Sequence, residues 1–163
     1  METIIKNPGI QHLAENVFWN LNFEDLKICA QINQSCKQIL ENPMFWLKKF
    51  RIISKENYKD WIKAIKLEKN SDKKKAIVSY LQWNLKKEVI DLPCYTNPDL
   101  QDYFLKKIIS CCMKKNSSDE VTETVKVLAH VTNNPNAPDK NGVTPIYWAA
   151  LNGKQKLSLY WPL

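Results

Sequence analysis

Few side chains in this chain are suited to acid, base or nucleophilic chemistry, and they are scattered. The two histidines, His12 and His130, have no acid or nucleophile at a motif spacing, so both read as surface or loop positions. The carboxylate pairs Glu24-Asp25 and Asp119-Glu120 have the composition of a general acid and base, but each falls at a helix start. There the helix dipole favours negative charge, and capping accounts for them. Five cysteines, Cys29, Cys36, Cys94, Cys111 and Cys112, include no C-x-x-C pair, so zinc is not expected and reduced thiols are. The glycines are Gly9, Gly142 and Gly153, too few and too far apart to write a phosphate-cradling loop. The expectation is therefore a non-enzyme with no catalytic residue, no cofactor and no metal.

The elements that must position these residues are helical. Ile10, Leu13, Val17 and Leu21 recur three or four apart and predict an amphipathic helix over 9–21. Asn22 is placed to cap a second helix, with Asp25 three positions on and Leu26, Cys29 and Ala30 as its stripe. A third stripe, Ile32, Cys36, Ile39 and Leu40, stops at Asn42-Pro43, and Met44, Phe45 and Trp46 read as a tryptophan-bearing turn. Further helices are predicted over 55–68 and, behind a Ser71 cap, over 72–90. Leu92 to Pro98 holds two prolines and reads as a boundary, with Asn97 as cap and Pro98 opening a helix through Leu100, Phe104, Ile108 and Cys112. Lys114 to Asp119 breaks that pattern, and Val121, Val125 and Leu128 begin another helix. With no convincing alternation, the fold class expected is all-α.

At 163 residues, 44% of them hydrophobic, the chain is long enough to bury a real core. The net charge of +7 is concentrated: residues 48–87 hold 13 Lys/Arg against four Asp/Glu. Arg51 is the only arginine, so base readout is nearly absent, and solvated helix faces explain the lysines better than nucleic acid does. No apolar run approaches membrane-spanning length and no leader is evident, so a cytoplasmic or nuclear protein with no membrane or nucleic-acid partner is expected.

Residues 9–50 resemble an F-box, the three-helix module that hangs substrate receptors on the Skp adaptor of cullin-RING ubiquitin ligases. Asn16-Val17-Phe18-Trp19-Asn20-Leu21 stands at the first-helix hydrophobics, Phe23-Glu24-Asp25-Leu26 at the acidic-Asp-Leu step, and Asn42-Pro43-Met44-Phe45-Trp46-Leu47 at the closing Asp-Pro-x-Leu-Trp segment. Gly9-Ile10 replaces the family's Leu-Pro start, and Cys36 a common bulky aromatic. The resemblance implies an adaptor-binding face of Ile10, Leu13, Val17, Leu21, Phe45 and Trp46.

Residues 121–154 resemble ankyrin repeats. Asp139-Lys140-Asn141-Gly142-Val143-Thr144-Pro145-Ile146-Tyr147-Trp148-Ala149-Ala150-Leu151-Asn152-Gly153 follows the repeat's Asp-x-x-Gly-x-Thr-Pro-Leu-His-x-Ala-Ala-x-x-Gly core. Asn141-Gly142 suits positive φ angles in a turn, Thr144 a cap ahead of Pro145, Ala149 and Ala150 a thin stacking helix, and Gly153 a left-handed cap. Counting back 33 residues from Thr144 and Gly153 lands on Cys111 and Glu120, so the preceding repeat is degenerate, with Thr122 to Ala129 as its outer helix. The array is expected to be short, either truncated from a longer ankyrin protein or steadied by docking on residues 51–98, where Ile77, Leu81 and Leu85 could pack against Phe104 and Ile108.

The organisation expected is thus an F-box-like module at 9–50, a helical linker region at 51–98 and degenerate ankyrin-type helix pairs at 99–163. What the two resemblances imply is a substrate receptor that joins a Skp-type adaptor to a client protein. The alternative is an ankyrin interaction scaffold with no ubiquitin role.

Overall fold

The computed structural model describes residues 8–32, 34–56, 59–115, 119–158 and 161, and among them it is helical with no strand. The helices are α1 (Pro8–Asn20), α2 (Phe23–Ile32), α3 (Gln34–Leu40), α4 (Pro43–Glu56), α5 (Lys59–Leu67), α6 (Ser71–Val89), α7 (Pro93–Thr96), α8 (Pro98–Met113), α9 (Asp119–Val131), α10 (Pro145–Leu151) and α11 (Gln155–Ser158).

Short polar residues start several of them, because the first amides of a helix have no partner within it. Asn22 Oδ1 accepts from the Asp25 amide at 2.8 Å, and Asn42 Oδ1 from the Met44 amide at 2.9 Å. Asn97 Oδ1 accepts from Asp99 and Leu100, with Pro98 at the first helical position as expected. The cap of α6 is one residue earlier than predicted: Asn70 Oδ1 accepts from Asp72 and Lys73, and Ser71 is already helical. Asparagine and serine cap comparably, so neighbouring candidates are not separated by propensity.

The predicted turn around Trp46 is instead the start of a long helix. Past Trp46 the stripe of α4 continues through Phe50 and Ile53, and all three are buried. This helix is central, packing against α1, α3, α5, α8 and most broadly α9. Aromatic contacts mark its path: Phe45 meets Trp46 edge-on at 5.1 Å, Trp46 meets Phe50 at 5.6 Å, and Phe50 meets Phe104 of α8 at 6.0 Å.

Expected as an outer repeat helix, α9 packs against α4, α6 and α8. From Val125 to Thr132 every residue is buried, including Lys126 and His130. The Lys126 ammonium meets Glu123 one turn back at 2.5 Å, which offsets the cost of taking that charge out of water. Such a valine-rich helix is poorly stabilised by propensity, and its surroundings supply what propensity lacks. Phe104 is covered from α4 by Phe50, and α6 packs against α9. One hydrophobic core runs from Trp19 to Trp161 and draws on all three segments anticipated from sequence.

Candidate functional site

The N-terminal helices divide the expected adaptor face. On α1, Leu13 is 65% exposed and Val17 is 59% exposed, whereas Trp19 is buried and Ala14, Phe18 and Leu21 pack against the core. Residues four apart share a helix face, so Leu13 and Val17 form an outward apolar stripe on a helix that already buries its other side. The side chain of Ile10 lies outside the described residues. More apolar surface is exposed nearby in sequence at Ile28 and Ile32 of α2 and Met44 of α4.

Phe45 and Trp46 are not surface residues. They are 1% and 0% exposed, and Trp46 Nε1 donates to the Leu40 carbonyl at 2.5 Å, pinning the end of α3 onto α4. As placed here, neither can touch a partner. A helical stripe announces burial without saying whether the cover is the chain itself or another molecule, and here it is the chain.

Lys49 is a residue that sequence patterning missed. Its side chain is buried, its ammonium donates to the Trp19 carbonyl at 2.8 Å and also to the Leu21 carbonyl, and it lies 5.9 Å from the Phe23 ring centroid. It satisfies carbonyls at the C-terminal end of α1, where a cation is favoured by the dipole. The only sequence signal was a lysine inside an apolar stripe. Its neighbour Lys48 is exposed, with its ammonium over the Trp19 ring at 3.0 Å. Between α1, α4 and α9 lies a groove of about 370 Å³, floored by Trp19, Phe45, Val125 and Leu128.

At the other end of the chain, the loop before α10 is organised by Asp139. Its Oδ1 accepts from the amides of Asn141 (2.8 Å) and Val143 (3.0 Å), and its Oδ2 from Trp148 Nε1 (2.9 Å). These bonds, the Val143 amide foremost and the Trp148 indole next, hold the carboxyl below the usual aspartate range. Gly142 alone in the turn has positive φ, +76°, while Asn141 does not, so the expected pair of such angles reduces to one. Thr144 Oγ1 accepts from the Tyr147 amide at 3.4 Å with Pro145 at the first helical position, and Gly153 closes the helix at φ +73°.

Ala149 is buried on α10, which packs against α8, and Ala150 faces outward rather than into a stack. The next residues reach back: Asn152 Nδ2 donates to the Cys112 carbonyl at 3.1 Å, and Lys154 Nζ to the Cys111 carbonyl at 2.5 Å. They satisfy carbonyls in the last turn of α8; counting back 33 residues from Thr144 makes Cys111 a helix start, whereas the structure places it at a helix end.

Among the described residues the histidine and the carboxylate pair singled out in the sequence do not come together. His130 is fully buried on α9, not at the surface or in a loop as its isolation in sequence implied, and burial, followed by the charge of Lys86, lowers its pKa to about 4. It is a core residue by virtue of the valines around it. The side chains of His12, Asp119 and Glu120 lie outside the described residues, and Glu24 and Asp25 sit in the first turn of α2. Among the described residues no group of three or more His, Cys, Asp and Glu is arranged to hold a metal ion, and no helix is long and apolar enough to cross a membrane. No family model, curated protein or solved structure matches this chain.

Proposed function

We propose that this protein is a non-enzymatic substrate receptor, its first helix docking on a Skp-type adaptor of a cullin-RING ubiquitin ligase and its C-terminal helix pairs engaging a client protein. The observation that carries the reading is the exposed pair Leu13 and Val17 on a helix whose other side is already committed to the core. A soluble helix seldom maintains a second apolar stripe without something to cover it. The ordered sequence matches around Phe23 to Leu26 and Pro43 to Trp46 favour the adaptor as that cover.

A second reading, an interaction scaffold with no ubiquitin role, draws on the burial of Phe45 and Trp46. Under it the N-terminal helices serve as the packing base for α8 and α9 and nothing more.

Binding of the full chain to purified Skp adaptor separates the two. The receptor reading expects wild-type binding at micromolar concentration and a loss on the order of a hundredfold in Val17→Asp, where a carboxylate would be forced into an apolar contact. Val17 is exposed, so the variant should melt with the wild type. Absence of wild-type binding leaves the scaffold.

A further inference from the structure

A second unpartnered surface lies in the basic middle of the chain. Along α6, Lys73, Ala76, Tyr80, Trp83 and Lys87 follow one another at alternating steps of three and four, which places them in a single stripe. All five are exposed, and Val78, Leu81, Leu85 and Val89 of the same helix are buried. Trp83 is 59% exposed and Tyr80 is 51% exposed. Tyr80 packs against Trp83 at 6.4 Å and, across to α5, against Trp61 at 5.5 Å, and the Lys87 ammonium lies 5.3 Å from the Trp83 ring centroid. Three large rings thus form one apolar ridge with a lysine at either end.

We infer that the ridge Tyr80–Trp83, with Trp61 beside it and Lys73 and Lys87 at its ends, is a docking surface for an acidic protein segment that interleaves carboxylates with apolar side chains. Aromatic rings carry large apolar area at little entropic cost and dominate interface energetics, so leaving three of them in water invites a partner. The charge identifies that partner: residues 59–89 hold nine lysines against four acids, and Lys63, Lys66 and Lys75 also point outward. Lysine stems can lie along the rings while their heads meet carboxylates. Nucleic acid fits less well. No arginine stands in this stretch, Asp72 is exposed beside Lys73, and the rings pack on one another instead of leaving slots for bases. This inference does not depend on the adaptor reading, since it concerns other helices and another partner.

Fluorescence anisotropy of the full chain tests it. The probe is a labelled synthetic peptide of about 15 residues in which Glu alternates with Leu and Phe, with a Gln-for-Glu counterpart and labelled oligothymidine alongside. The Glu peptide should bind at micromolar concentration, at least about tenfold more tightly than the Gln peptide, and weaken several-fold as salt rises from about 50 to about 300 mM. Tyr80→Ala with Trp83→Ala should cost about tenfold or more, and so should Lys73→Glu with Lys87→Glu, which leaves the rings in place. Both pairs alter exposed positions, and unchanged thermal melting identifies their effect as local. No binding of the Glu peptide, equal binding by both double variants, or tighter binding of oligothymidine would overturn the inference.

Discussion

Phe50 of α4 and Phe104 of α8 meet edge-on with ring centroids 6.0 Å apart, and both are fully buried. Their contact joins the N-terminal helices to the C-terminal ones.

Phe50→Ala is expected to destabilise the whole chain by roughly 3–5 kcal/mol, the cost of a large aromatic cavity in a close-packed core. Urea unfolding followed by circular dichroism should show a single transition displaced to lower denaturant. By the same logic residues 99–163 in isolation should be at most partly folded, since α9 loses the cover of α4 and α6. A sharp melt of that segment with near-native helix content would show it to be self-sufficient.

The buried imidazole of His130 gives stability a defined pH window. Its pKa in the folded chain is about 4, below an ordinary 6.5, so the unfolded chain takes up the proton first. The stabilisation is complete above about 6.5 and is lost as pH falls from there to about 4, amounting to at most roughly 3 kcal/mol. Denaturation midpoints measured across that range should fall with acid, and in His130→Leu most of the slope should vanish.

Much of this fold was legible locally and little of it globally. The caps at Asn22, Asn97 and Thr144 depend on residues two or three away, and the pattern located them. Burial does not work that way: nothing in the stripe Phe45, Trp46 and Phe50 says that α8 and α9 pack on its helix, and nothing near His130 says that α9 packs against three other helices. The α6 ridge was hidden for a different reason. A tally of lysines over 48–87 conceals that two of them share one face with Tyr80 and Trp83, and only the helical projection separates that face from its surroundings. Of the residues expected to form an adaptor face, Leu13 and Val17 are exposed and Phe45 and Trp46 are core, a distinction periodicity does not make.

Asp139→Ala should loosen the loop before α10 without unfolding the chain. Three donors lose their acceptor at once, so hydrogen exchange of the Asn141 and Val143 amides should accelerate. Because the folded carboxyl titrates below its usual range, its contribution is present above the ordinary aspartate value and fades as pH drops through the lowered one. Gly142→Ala should strain the same turn by about 1 kcal/mol, since its φ of +76° disfavours a side chain although nothing lies within 4 Å of the new Cβ.

The five thiols should divide cleanly under alkylation. Cys94, Cys111 and Cys112 are buried, and desolvation carries Cys94 well above the ordinary thiol range and Cys112 up to about 12. Cys29 and Cys36 are half-exposed. Mass spectrometry after native iodoacetamide treatment should find label on Cys29 and Cys36 first and on the other three only after denaturation.

Lys48 and Lys49 are adjacent and identical in kind, yet acylating reagents meet two different residues. The head of Lys49 is shut inside the protein against the carbonyls of Trp19 and Leu21, while that of Lys48 rests on the outer face of an indole ring. To acetylate Lys49, or to link a ubiquitin to it, α1 would first have to come away from α4. Of this neighbouring pair, the fold withdraws from acylation the one whose modification would detach α1.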